Sequence, residues 1–152
     1  MSEWTRNLVD DDATLREILR TCRRIAVLGI KTEAQAGQPA IEVPRYLLAQ
    51  GYEIVPVPVY YPEATRILGQ PVYRRVQDIP GGVDLVDVFR RPQDIPPHLD
   101  DLLAARPRVV WFQLGIRHDE VARTLAAAGI QVVQDRCTLI EHRRLLGRPV
   151  AG

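Results

Sequence analysis

The sequence predicts a Rossmann-like α/β domain: a five-stranded parallel sheet in the order 3-2-1-4-5, counted along the chain, with helices on both faces. Short unbroken apolar runs, the pattern of strands buried on both sides, alternate with stretches whose apolar residues recur at helical spacing. Glycine or proline marks many of the junctions. The 152 residues suit a single domain, and right-handed crossovers leave few arrangements for such an alternation. We read 1–152 as that domain, with 1–11 an N-terminal extension.

Asp10, Asp11 and Asp12 precede Leu15, Ile18, Leu19 and Cys22, whose spacing builds one helical stripe behind an acidic N-cap. Ile25-Ala26-Val27-Leu28, ending at Gly29, is the first central strand. Ile41 to Gln50 repeats at helical spacing and Gly51 supplies its left-handed cap. Tyr52 to Val59 re-enters the sheet, but Pro56 and Pro58 cannot donate to a central ladder, so the strand should finish near Val57. Tyr60 to Pro80 reads as a loop with a helical turn around Arg66-Ile67-Leu68.

Leu85 to Phe89 is the third strand, and Asp87 within it suggests a place near the sheet edge, where a carboxylate reaches water. Pro96 or Pro97 starts a helix through Leu99, Leu102, Leu103 and Ala104. Val109 to Phe112 is the fourth strand. A helix from about Asp119 to Ala128, capped by Gly129, leads to a fifth strand over Ile130 to Val133, and Thr138 to Leu146 closes the chain as a helix.

Composition excludes several classes. Apolar residues at 46% and charged residues at 26% are ordinary globular values, not those of a disordered chain. A formal net charge of +1, from 20 basic and 19 acidic residues, sets up no field to recruit nucleic acid or an anionic membrane. Met1 to Asp12 holds no apolar leader segment and no run is long enough to span a bilayer, so the chain is expected in the cytoplasm. Cys22 and Cys137 lie far apart and the histidines are scattered, which signals neither zinc nor a disulfide framework.

In the expected order the chain reverses between strands one and four, and ligands settle at the carboxyl ends of the strands beside such a crevice. The site should then be built from four loops. The first, Gly29-Ile30-Lys31, leads toward a helix start whose amides attract anions. Lys31, the chain's single lysine, can meet a phosphate there or stand as a plain surface residue. A full Gly-x-Gly-x-x-Gly is absent, since the next glycine is Gly37, and Val57-Pro58-Val59 supplies no acid for a ribose, which counts against NAD.

Arg90 and Arg91 follow the third strand and suit a phosphate or carboxylate, or else a solvated ion pair with the acids around Asp94. Gln113-Leu114-Gly115 lets backbone approach a ligand while Leu114 or Ile116 packs on a flat ring, or is a simple strand-to-helix turn. Cys137 with Glu141 and His142 can be read as a nucleophilic pair with an orienting acid; a capped closing helix with a small buried thiol is the plainer reading. His98 and His118, near helix starts, should face solvent.

Together these pieces resemble a known family. Gly51-Tyr52 with Val55-Pro56-Val57, Asp78-Ile79-Pro80, Val83 to Arg91, Val109 to Gly115, and Asp135-Arg136-Cys137 with Glu141-His142 are similar to the small stand-alone CoA-binding proteins. These are single-domain relatives of the N-terminal domain of the succinyl-CoA synthetase α subunit. The likeness runs from about Leu15 to Leu146. It implies that coenzyme A or an acyl-CoA lies across the carboxyl edge of the sheet, at Gly29, Ile30 and Lys31, at Pro58 and Val59, at Phe89, Arg90 and Arg91, and at Gln113, Leu114 and Gly115.

The chain departs from that family's usual Gly-Ala-Ser at the first loop, its Asn-Pro after the second strand, and its arginine after Gly37, here Gln38. Lys31 in place of the missing serine implies phosphate binding that is more sensitive to salt. No acid, base and nucleophile converge with the four loops, so the expectation is a CoA-binding module without catalysis of its own. An NAD(P)-dependent oxidoreductase and a CoA-sensing subunit of a larger enzyme are the alternatives. The implied ligand is small; neither nucleic acid nor membrane is expected as a partner, and a protein partner or homodimer is unsignalled.

Overall fold

A computed structural model describes residues 3–147 of the chain. Five strands, β1 (Arg24–Leu28), β2 (Glu53–Val57), β5 (Leu85–Val88), β6 (Val109–Phe112) and β7 (Gln131–Val133), form one all-parallel sheet. The remaining two, β3 (Arg66–Ile67) and β4 (Gln70–Pro71), make a small hairpin outside it. The helices are α1 (Asp12–Thr21), α2 (Pro39–Ala49), α3 (Leu99–Ala105), α4 (Asp119–Ala127) and α5 (Thr138–Leu146).

The Rossmann-like class is as expected, but the strand order is β2-β1-β5-β6-β7. The third sheet strand therefore sits between the first and fourth, not at the edge as 3-2-1-4-5 required. Two residues explain the correction. Asp87, read as an edge carboxylate, is fully buried on central β5, where Gln113 and Thr138 satisfy it in place of water. Pro56 marks β2 as the true edge: its carbonyl accepts from Tyr73 N–H at 3.0 Å on the outer side, so its missing N–H also faces away from β1.

Alternate residues of each strand feed two cores. On one face Ile25, Val27, Leu85, Val109 and Trp111 pack with Leu15, Ile18 and Leu19 of α1, Ile41 and Leu47 of α2, and Leu145 of α5. On the other, Ala26, Leu28, Val86, Val88, Val110 and Phe112 meet Leu102 of α3 and Val121, Leu125 and Ala126 of α4. Both faces are covered, as a parallel sheet requires.

From Glu3 onward the extension packs on the domain. Residues Glu3–Asn7 form a 3-10 turn against α4, with Asn7 Nδ2 donating to the Ala126 carbonyl at 2.9 Å and Trp4 under the Arg123 guanidinium at 5.2 Å. Leu8 then bridges Val132 in parallel, and Val9 N–H donates to the Val132 carbonyl at 2.8 Å, along the outer side of β7. The helical turn expected around Arg66-Ile67-Leu68 is instead the β3–β4 hairpin. Leu68 and Gly69 both have positive φ, 51° and 79°, which is the backbone of a tight hairpin turn.

Among the described residues no helix is long and apolar enough to cross a membrane.

Candidate functional site

The chain runs from β1 outward to β2 and returns to β5 on the other side of β1, so the reversal lies between β1 and β5. Parallel sheets open a crevice there, beyond the carboxyl ends of the strands. The two loops that flank it touch. A Cβ added to Gly29 (φ +88°) would lie 2.3 Å from the Phe89 carbonyl oxygen, and Phe89 N–H donates to the Leu28 carbonyl at 2.9 Å. Only glycine fits so close an approach.

A cleft of about 770 Å³ opens at this edge. Lys31, Phe89, Arg90, Arg91, Gln113, Leu114 and Gly115, all named from the sequence as site candidates, line it. Gly29, Ile30, Pro58 and Val59 are not in its wall. Ile30 is turned into the core and Pro58 is buried, while Val59 lines a separate hollow of about 450 Å³ with Tyr60, Tyr61, Pro62 and Arg74.

The start of α2 adds Gly37, Gln38, Pro39, Ala40 and Val43 to the lining. Pro39 opens the helix and no side chain caps it, so the Ala40 N–H has no hydrogen-bond partner among the described residues. Pro44 inside the same helix has a further effect. It lacks the N–H that would bond the Ala40 carbonyl four residues back, and the backbone N–H of Lys31 takes that acceptor at 3.1 Å. A proline in α2 thus ties the lysine's backbone to the helix start. Glu42 stands on the same turn, accepting from Gly37 N–H at 2.8 Å and pairing with Arg45 at 3.4 Å.

The cations differ in their commitments. Lys31 is half-buried and has no ion pair among the described residues. Arg91 is exposed and paired with Asp94 at 2.9 Å, the solvated pair that was one of its two readings. Arg90 lies over the Tyr60 ring at 5.7 Å and donates from Nε to His98 Nε2 at 3.2 Å. His98 is accordingly half-buried, not solvent-facing as expected, and burial, reinforced by Arg90, holds it below the usual histidine range.

Much of the lining is apolar: Leu114, Ile116, Leu139 and Ile140 belong to it with Cys137, and Leu114 and Ile140 are exposed. Gln113 is 4% exposed, and its Nε2 donates to Asp87 and to Thr138. Burial pushes the Asp87 carboxyl up to about 7 against the pull of the hydrogen bonds that Gln113 and Thr138 donate to it.

The nucleophilic pair imagined for Cys137 is not assembled. His142 Nδ1 meets the Tyr46 hydroxyl at 2.8 Å, its ring packs edge-on against Tyr46 and Tyr52, and Glu141 is held by Arg136 and Arg144 at 3.1 and 2.6 Å. Burial holds His142 below the usual range. Cys22 is buried, which pushes its thiol up to about 11.

The α2 and α5 starts and Asp87 were not among the expected site residues. Pro39 was the available signal for the first; for Asp87 the signal was a carboxylate inside an apolar strand, and it was read as a mark of exposure.

Fold and cleft together define a single Rossmann-like α/β domain with its ligand-sized opening at the sheet's reversal point. The chain belongs to the CoA binding domain family, whose pattern its residues 23–143 match. It is similar to the solved Thermus thermophilus protein cell-free ID.343, at 42% identity and a TM-score of 0.82, covering 90% of this chain and 99% of that one. A hypothetical protein from Pyrococcus horikoshii OT3 aligns at 33% identity and a TM-score of 0.83, over 91% and 94% of the two chains. Uncharacterized protein YneT of Bacillus subtilis (strain 168) is 32% identical over 130 residues, 86% of this chain and 93% of that protein.

Proposed function

We propose that this chain binds coenzyme A, free or acylated, in the cleft at the carboxyl edge of the sheet and carries out no catalysis of its own. One observation carries the reading: the cleft is lined by cationic and apolar groups together. Lys31, Arg90 and the uncapped start of α2 line it, and so do Leu114, Ile116, Leu139 and Ile140. Coenzyme A, with its phosphates and its pantetheine arm, offers a partner to each kind of group. Family membership supports the same ligand.

Ile30 and Pro58, implied by resemblance, contribute shape and backbone in this reading, and Gly29 lets the two flanking loops meet. The protein works as a CoA-responsive module, alone or as a subunit of a larger enzyme. Calorimetric titration with CoA, and with NAD and NADP in the same salt, tests this. Saturable one-to-one binding of CoA with the dinucleotides silent is the expected result. Silence for CoA, or tighter binding of NAD or NADP, overturns it.

A further inference from the structure

Asp87 is fully buried, with Val27 of β1 and Trp111 of β6 beside it in register. Its two oxygens take different donors: Gln113 Nε2 reaches Oδ1 at 2.5 Å and Thr138 Oγ1 reaches Oδ2 at 3.0 Å. The same Nε2 also donates to Thr138 Oγ1 at 2.8 Å.

These bonds have one consistent sense. The Thr138 hydroxyl commits its proton to Asp87, so threonine and carboxylate both present lone pairs to Gln113, and the amide must turn its NH2 inward. Its carbonyl is thereby left for the other side. Gln113 lines the cleft, and Oε1 has no protein partner among the described residues.

We propose that Gln113 Oε1 is a specificity determinant that accepts an amide N–H of the ligand's pantetheine arm, with Asp87 and Thr138 as positioning residues that hold the side-chain amide in that sense. This rests on the CoA reading above and adds the atom that distinguishes an amide from an isostere unable to donate. A buried acceptor left facing a group with no hydrogen disfavours the wrong ligand strongly.

The neighbouring charges are engaged elsewhere. On α5, Glu141 is held by Arg136 and Arg144, and His142 by Tyr46. On α2, Glu42 bonds Gly37 and pairs with Arg45; on α1, Asp12 pairs with Arg144 and Arg20 with Glu17. Lys31 shares the cleft without an ion pair among the described residues. The state of Asp87 therefore governs the Gln113 amide: once protonated, the acid can donate to Oε1 and release the amide to turn over. Its ordinary range is raised by burial to about 7, within reach of a binding experiment.

The test compares CoA with two analogues, each with one of the two pantetheine amide N–H groups replaced by an ester oxygen. All three keep the phosphates, so affinity ratios cancel phosphate ionisation. For the wild type at pH 8, CoA should bind at least about tenfold tighter than one of the analogues, which is ~1.4 kcal/mol. That ratio should fall toward pH 6.

Asp87→Asn and Thr138→Val should lower the ratio and flatten its pH dependence while binding of CoA persists, and Gln113→Met should bring it near one. Wild-type ratios near one for both analogues overturn the proposal, as does a tenfold ratio surviving in Gln113→Met. A ratio unchanged in both Asp87→Asn and Thr138→Val overturns the positioning role. If one of these two variants fails to fold by circular dichroism, the other carries the comparison. Failure of CoA itself to bind the wild type would instead overturn the cofactor reading, and this proposal with it.

Discussion

Arg90 Nε donates to His98 Nε2 across 3.2 Å, which assigns the neutral His98 its proton on Nδ1 and makes it an acceptor beside the cleft. The contact holds only while His98 is uncharged. Burial and the Arg90 charge both depress its proton affinity. Arg90→Ala should therefore shift the His98 titration upward, read by NMR of the imidazole protons; an unmoved titration would show that the two side chains do not meet in solution.

Removing Lys31 should separate the phosphates from the rest of the ligand. Lys31→Ala is expected to weaken CoA by about 1.5 to 3 kcal/mol, the worth of a charge-assisted bond, and an analogue lacking the pyrophosphate by much less. Arg90→Ala should behave similarly, whereas Arg91→Ala, already paired with Asp94 in solvent, should change affinity by under about 0.5 kcal/mol. Equal losses for both ligands in calorimetry would remove Lys31 from the phosphate site.

Gly29→Ala forces both a contact with the Phe89 carbonyl and an unfavourable φ. Urea unfolding should show a loss on the order of 2–4 kcal/mol. Gly37→Ala shares the positive φ but meets nothing within 4 Å, so its loss should be nearer about 1 kcal/mol. Equal losses would mean that conformation alone, not the crowding of the two loops, is at stake.

The buried acid sets a pH dependence of known sign. Its folded-state pKa is raised to about 7, so the folded chain retains a proton that the unfolded chain has released above about 4. Stability from this source is complete below that value and is lost as pH rises toward 7. The advantage of Asp87→Asn over wild type should therefore grow between pH 4 and 8, by more than about 1 kcal/mol. A constant difference would show that Asp87 is ionised throughout.

His142 acts in the opposite direction. Its folded-state pKa is depressed by burial, so the stability it contributes is present above about 6.5 and falls as pH drops and the unfolded chain gains the proton. His142→Gln should flatten the acid limb of a plot of Tm against pH. An acid limb as steep as that of the wild type would assign it to other groups.

Much of the fold was legible because burial on both faces leaves a plain record. Runs such as Val109 to Phe112 can belong only to a covered strand or a buried helix, and their length decides. The order of the strands was harder, because it turned on polar and imino residues inside those runs. Asp87 pointed to solvent only as long as its partners were unknown; Gln113 and Thr138 are 26 and 51 residues away and nothing local announces them. Pro56 was read for where its strand ends, although it also said which strand has an open side.

The site was legible in its loops and not in its helix starts. Lys31, Phe89, Arg90 and Gln113 each follow a strand that could be recognised. The α5 wall of the cleft comes from Leu139 and Ile140, which the sequence showed only as part of a closing helix. The link from Pro44 through the Ala40 carbonyl to Lys31 is a backbone relation, visible only once α2 and the first loop are side by side.

A parallel sheet of five strands has two flanks with unused ladder positions, and this chain disarms both. Along β7 its own residues 8 and 9 occupy the outer hydrogen-bonding side, while along β2 Pro56 offers no hydrogen outward and its carbonyl is taken by Tyr73. Lateral growth, one sheet continuing into that of a neighbour, is discouraged at each flank. Contact with a second chain is thereby turned away from the sheet and toward the helix faces and the rim of the cleft.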